Sequence, residues 1–176
     1  MTGLSLSLIK EPRFELDVGQ LLPEILAGQS LKAIKLIKLQ HGKRRAVVGD
    51  FFAVEGLTDG DISFHNTTAK IHRIGHAMTS GTINIVGTAG DELGAQMTGG
   101  KIQVDGNASD YVGSGMRGGM IDISGRSGDF TGGALPDSPL GMRGGVICVN
   151  QKTGDRAGER MRRGLIIING DTGSYC

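Results

Sequence analysis

A short apolar strand signature closed by glycine recurs at a fixed interval from residue 83 onward, and this period constrains the fold more tightly than any other feature of the chain. The segments are Ile83-Asn84-Ile85-Val86-Gly87, Ile102-Gln103-Val104-Asp105-Gly106, Ile121-Asp122-Ile123-Ser124-Gly125, Ile147-Cys148-Val149-Asn150-Gln151 and Ile166-Ile167-Ile168-Asn169-Gly170. Their first isoleucines are 19, 19, 26 and 19 residues apart. The irregular step is one period plus a seven-residue insertion within residues 132–140. A weaker copy, Ile62-Ser63-Phe64, starts 21 residues before Ile83 and brings the number of starts to six. Other columns keep the same register. Gly60, Gly81, Gly100, Gly119, Gly145 and Gly164 each stand two positions before a strand, and Met78, Met97, Met116, Met142 and Met161 stand three before those glycines. Leu93, Val112, Thr131, Ala157 and Cys176 fall ten after each first isoleucine, and Gly94, Gly113, Gly132 and Gly158 follow directly, with Gly75 in the early copy.

Apolar residues at i and i+2 describe a short strand with one buried face, because side chains alternate sides along a strand. Nineteen residues are too few for a strand and a full helix, and one short strand cannot shield its own apolar face. Stacking answers this: each repeat hydrogen-bonds to the next at ~4.8 Å and the isoleucines form an interior ladder. The glycines serve tight corners and positive φ. The expected fold is therefore mainly β, a right-handed parallel β-helix over residues 57–176 with its last coil incomplete, capped by a small α+β region over residues 1–56. In that region Leu4-Ser5-Leu6-Ser7-Leu8 alternates as a strand. Asp17 is expected to cap a short helix over residues 21–26 that stops at Gly28, and Ser30 a second short turn. Residues 36–39 and 45–48, around His41-Gly42-Lys43, read as a hairpin.

Composition narrows the function. Thirty-one glycines among 176 residues far exceed the ~7% of an average chain, without a collagen period. Charge nearly cancels, 19 Lys+Arg against 18 Asp+Glu, which argues against nucleic acid or an anionic membrane as partner. No export signal or membrane-spanning run is visible, and Cys148 and Cys176 are far apart, so a cytoplasmic protein with free thiols is expected.

Four aspartates, Asp91, Asp110, Asp129 and Asp155, share one repeat position. A carboxylate column suggests a cation site such as Ca2+. The calcium-binding β-roll uses a shorter and more Asp-rich repeat, and the simpler account has each Asp bonding amides of its own turn. His65, His72 and His76 lack a cysteine or carboxylate to complete a zinc set and read as surface or turn residues. Gly113-Ser114-Gly115 is no phosphate loop, since no helix with a Walker lysine or Rossmann spacing follows. No Ser or Cys nucleophile has a neighbouring base, so no catalytic, metal or cofactor-binding residue is assigned. Arg117 and Arg143 share a column, and Arg156, Arg160, Arg162 and Arg163 crowd the next repeat. They form either a solvated face or a positive ridge for a polyanionic ligand or acidic partner.

The glycine columns and Ile-x-Ile/Val-x-Gly strands resemble the domain shared by glutamate synthase large subunits and the C subunit of formylmethanofuran dehydrogenase. Two stretches resemble the C subunit in particular. They are Gly128-Asp129-Phe130-Thr131-Gly132-Gly133-Ala134-Leu135-Pro136 leading to Gly141-Met142-Arg143-Gly144-Gly145, and Gly154-Asp155-Arg156-Ala157-Gly158-Glu159-Arg160-Met161-Arg162-Arg163-Gly164. Val48-Gly49-Asp50-Phe51-Phe52-Ala53-Val54-Glu55-Gly56 and Arg73-Ile74-Gly75 also match. The resemblance implies a non-catalytic scaffold of a one-carbon complex, either the CO2-reducing formylmethanofuran dehydrogenase of methanogens or the bacterial formyltransferase/hydrolase complex. The molybdenum or tungsten pterin, iron–sulfur clusters and hydrolase metals would belong to other subunits. Methanofuran-type carriers have glutamyl tails, for which the arginine ridge would be a docking strip. Gln151 departs from the terminal glycine of the other strands. The chain also ends midway through a repeat where family members continue, implying a truncated form or an end covered by a partner. The other readings are a glutamate-synthase-type β-helix spacer and a free-standing polyanion- or carbohydrate-binding solenoid.

Overall fold

Every repeat donates one strand to a single sheet. The computed structural model describes residues 3–176. Its elements are β1 (Leu4–Leu8), β2 (Leu16–Asp17), α1 (Pro23–Leu26), α2 (Leu31–Lys35), β3 (Lys38–His41), β4 (Arg44–Val47), a 3-10 turn (Val48–Asp50), β5 (Phe52–Gly56), β6 (Asp61–Thr67), β7 (Ile71–His72), β8 (Thr82–Gly87), β9 (Lys101–Asp105), β10 (Arg117–Ile123), β11 (Arg143–Val149) and β12 (Arg163–Ile168). The main sheet has eight strands in the order β12-β11-β10-β9-β8-β6-β1-β5 and the second has four, β4-β3-β2-β7. From β1 to β12 the pairing is parallel and the repeats align residue on residue, as in Ile83↔Ile102, Ile102↔Ile121, Ile121↔Ile147 and Ile147↔Ile166. The seven extra residues do not disturb this register. Met142 donates its N–H to the Gly132 carbonyl at 2.8 Å, so the insertion is pinched off at its base.

The expected right-handed parallel β-helix is corrected by this topology: the described residues form two mixed sheets with two α-helices of four and five residues. A β-helix needs further strands in each repeat, and apart from the two-residue β7 in the first the return segments supply turns instead. Left-handed residues interrupt them, at Ala77 (φ 58°), Gln96 (58°), Tyr111 (61°), Phe130 (56°) and Arg156 (57°). These five residues lie outside the named strands, where a φ near +60° departs from the extended value of about −120° to −140°. Outside the named strands, neighbouring repeats are joined by single backbone hydrogen bonds, such as the Arg73 N–H to the Asp91 carbonyl (2.9 Å) and the Tyr111 N–H to the Asp129 carbonyl (2.9 Å), and among the described residues by one isolated bridge, Ala89↔Ala108.

The core lies between the main sheet and these turns. Ile83, Ile85, Ile102, Val104, Ile121, Ile123, Ile147 and Val149 are buried against Leu93, Val112, Met97, Met116 and Met142. The column Gly81, Gly100, Gly119, Gly145 and Gly164 has φ of 85–112°. A Cβ at Gly119 would stand 2.7 Å from the Met97 Cε of the preceding repeat. The methionine and glycine columns are therefore two halves of one contact.

The N-terminal segment joins both sheets. β1 alternates as expected, but lies between β6 and antiparallel β5, pairing Leu4 with Ile62 and Leu6 with Phe64. β2 runs parallel to β7 and antiparallel to β3, and β3–β4 form the expected hairpin. Ser30 caps α2, its Oγ accepting the Ala33 N–H at 3.2 Å. Asp17 is not a cap, since α1 begins at Pro23 after Leu22 with no side-chain cap. Its carboxylate instead accepts from the Gly19 N–H (2.8 Å) and the Arg73 guanidinium (2.9 Å). Among the described residues no helix is long and apolar enough to cross a membrane.

Candidate functional site

Because equivalent residues stack, the surface is organised in columns. The aspartate column joins repeats. The Asp91 carboxylate accepts the Asp110 N–H (3.2 Å), Asp110 that of Asp129 (2.8 Å), Asp129 that of Asp155 (2.7 Å) and Asp155 that of Ser174 (2.7 Å). Each acceptor reaches the neighbouring repeat, not its own turn as expected, because at strand spacing the next amide is the nearest orphan donor. Among the described residues no group of three or more His, Cys, Asp or Glu is placed to hold a metal ion. His72 Nδ1 lies 3.8 Å from Asp91 and His76 Nδ1 3.8 Å from Glu92, while His65 is on β6.

The residue after each aspartate forms a second column that sequence reasoning missed. It starts as an ion-pair chain, Asp17 to Arg73 (2.9 Å) to Glu92 (3.5 Å). It continues as Tyr111 and Phe130, stacked with centroids 4.9 Å apart and planes 9° apart, and ends with Arg156 over Phe130 (5.7 Å) and Tyr175 (5.5 Å). Burial, followed by the charge of Asp110, raises the Tyr111 pKa. At the ionic end, burial and then Arg73 lower the His76 pKa, with Asp17 opposing. The available signal was the spacing: Glu92, Tyr111, Phe130 and Arg156 directly follow the aspartates already singled out.

The six arginines do not form one ridge. Arg117, Arg143 and Arg162 share a column, donating backbone N–H to the carbonyls of Met97 (2.8 Å), Met116 (2.7 Å) and Met142 (2.9 Å), and Arg163 pairs with Arg143 where β12 begins. Arg117, Arg162 and Arg163 are exposed and Arg143 is half-buried. Among the described residues none of these four has a carboxylate partner. Arg156 and Arg160 lie on the turn side and share Glu159, at 3.1 and 3.7 Å. A free cationic edge therefore runs along the start of β10–β12, separate from a neutralised cluster.

Two open grooves complete the surface. One of about 770 Å³, between the β3–β4 hairpin and the first turns, is lined by Arg13, Phe14, His41, Lys43, Lys70 and His72 among others. Another of about 790 Å³ follows the aspartate column past Asn107, Arg126 and Lys152. Both are open surface grooves, the first lined mainly by basic and aromatic side chains and the second by small polar and charged ones.

Comparison with known proteins matches residues 60–176 to the GXGXG motif model. The C subunit of the tungsten-containing formylmethanofuran dehydrogenase 2 of Methanothermobacter wolfeii is 37% identical over 106 residues, covering 54% of this chain and 37% of the relative. Its Methanococcus maripaludis counterpart is 37% identical over 93 residues, covering 51% and 34%. The matched stretch thus spans little more than a third of the curated relatives. A chain in the crystal structure of the formyltransferase/hydrolase complex from Methylorubrum extorquens, solved with methylofuran, superposes with a TM-score of 0.91 at 30% identity, over 95% of this chain and 63% of that one.

Proposed function

The chain belongs to the GXGXG motif family, and from that premise we propose that it is a non-catalytic structural component, equivalent to the C subunit, in a formylmethanofuran dehydrogenase or formyltransferase/hydrolase complex of one-carbon metabolism. The observation that carries this reading is the superposition of 95% of the chain on a chain of the Methylorubrum extorquens complex. The columns support it from the inside, because the aspartate carboxylates are spent on joining repeats. In this reading the partners are the other subunits. They bear the molybdenum or tungsten pterin, iron–sulfur clusters or hydrolase metals, and they transfer formyl between methanofuran-type and tetrahydromethanopterin carriers, with CO2 or formate interconversion. Residues 1–56 serve as the capping region and residues 57–176 as the assembly platform, in the cytoplasm of a methanogen or methylotroph. Arg117, Arg143, Arg162 and Arg163 are the residues that meet an acidic partner surface or a glutamyl tail, since no described carboxylate of this chain neutralises them. Arg156 and Arg160, shared with Glu159, contribute less.

Omission and add-back of the chain during co-expression of the companion subunits tests the proposal. Assembly and activity should fall without the chain and return on adding it, and the isolated chain should turn over no formyl carrier. A fully active assembly formed without it, or turnover by the chain alone, overturns the reading.

A further inference from the structure

The outward face of the main sheet changes character along its length. Strand alternation sends Ile121, Ile123, Ile147 and Val149 inward, which leaves Met120, Val146, Cys148, Leu165 and Ile167 on the opposite face. The ladder register places Met120 beside Val146 beside Leu165, and Asp122 beside Cys148 beside Ile167, so one carboxylate borders the apolar residues on the β10 side. Met120 is 36% exposed, Leu165 52% and Ile167 41%. The same rows further back in the sheet hold Lys101, Gln103, Asn84 and Ser63, as a water-facing surface should. β11 and β12 read instead as unbroken apolar runs, Val-Ile-Cys-Val and Leu-Ile-Ile-Ile, the pattern of parallel strands covered on both faces.

Opposite flanks of this patch differ. Where β10–β12 begin stand Arg117, Arg143, Arg162 and Arg163, without carboxylate partners among the described residues. Towards the strand ends, Asn169 donates to Asn150 (2.9 Å) and Asn150 to the Asp122 carboxylate (3.3 Å), so this flank carries amides and one anion in place of cations. Asp122 is the one carboxylate among the described residues of β10–β12 and already accepts from Asn150, so a second copy of this chain would bring a single carboxylate from these strands against four arginines. Resting on the reading that the chain works inside a complex, we infer that the outer face of β10–β12 is its docking surface for a different protein subunit, one presenting an apolar centre with carboxylates along a single flank. The patch supplies the desolvated centre and the arginines set orientation.

The test co-expresses the tagged chain with its companion subunits and measures how much of them the tag retains. Leu165→Glu/Ile167→Glu and Arg117→Glu/Arg162→Glu should each lower retention more than about tenfold. Ser63→Glu/Gln103→Glu, on the polar part of the same face, should leave it unchanged. A second measurement needs no change in the patch: in a Cys176→Ser background, thiol labelling of Cys148 should go to completion in the isolated chain and be slowed more than about tenfold in the assembly. Wild-type retention by the patch variant together with unslowed Cys148 labelling overturns the inference alone. A wild-type chain that retains no companion overturns the subunit reading, and the hetero-partner with it. An isolated wild-type dimer that Leu165→Glu/Ile167→Glu converts to monomer assigns the face to a second copy and also overturns the inference.

Discussion

The repeats and the segment before them bury apolar surface in opposite ways. In the repeats, a residue's neighbours are its own equivalents one period away, so Ile121 packs between Ile102 and Ile147 and Gly119 beneath Met97. In the N-terminal segment each contact is made once. β1 is wedged between β6 and β5, and Phe52 meets Phe64 edge-on at 6.0 Å. A column spreads the consequence of a substitution to both neighbouring repeats, whereas a singular contact confines it. Substitutions matched between the two regions should therefore differ in size.

Ile121→Asp should have the largest effect. It places a charge at a fully buried position between two isoleucines, and a loss of about 4 kcal/mol or more is expected in chemical unfolding. Unchanged thermal unfolding would refute the ladder register. Glycine gives a sharper contrast, because Gly119 (φ 87°) and Gly28 (φ 75°) both need left-handed backbone, but only the first has a neighbour in the way. Gly119→Ala should cost about 3 kcal/mol and Gly28→Ala about 1 kcal/mol. Equal losses would show that backbone strain alone governs both sites.

The periodic part of this organisation was legible in the sequence because a column repeats its own signal: Ile-x-Ile, the preceding glycine and the methionine three before it. The return segments were not, since nothing in Ala77, Gln96, Tyr111, Phe130 or Arg156 as residue types announces the left-handed backbone they adopt there. The partners of β1 and β2 were equally hidden, because pairing over more than fifty residues is settled by the assembled core. The division of the arginines turns on Glu159, three residues after Arg156, a spacing visible in the sequence. In the run Leu165-Ile166-Ile167-Ile168 the Ile-x-Ile column accounts for the inward residues alone, and alternation leaves the other two facing out.

Smaller differences come from single hydrogen bonds. Asp110→Ala frees the half-buried Asp129 N–H and should cost about 1 kcal/mol, with faster hydrogen exchange at that amide. Ser30→Ala removes an exposed cap at α2 and should cost about 0.5 kcal/mol. Equal exchange rates at Asp129 in variant and wild type would remove the aspartate ladder from the account. The smallest effect is on pH dependence. His76 has its pKa lowered by burial and by Arg73, so between the ordinary histidine value and the lowered one the unfolded chain binds more protons than the folded one. Stability should therefore fall as pH drops through that window, and His76→Gln should flatten the slope; an unchanged slope would remove His76 from the ionic end of its column.

The most direct measurement of the central claim is the native mass of the affinity-purified wild-type chain after co-expression with its companion subunits. A stable assembly containing this chain and those subunits is the predicted result; recovery of the chain alone, with no companion bound, would contradict it.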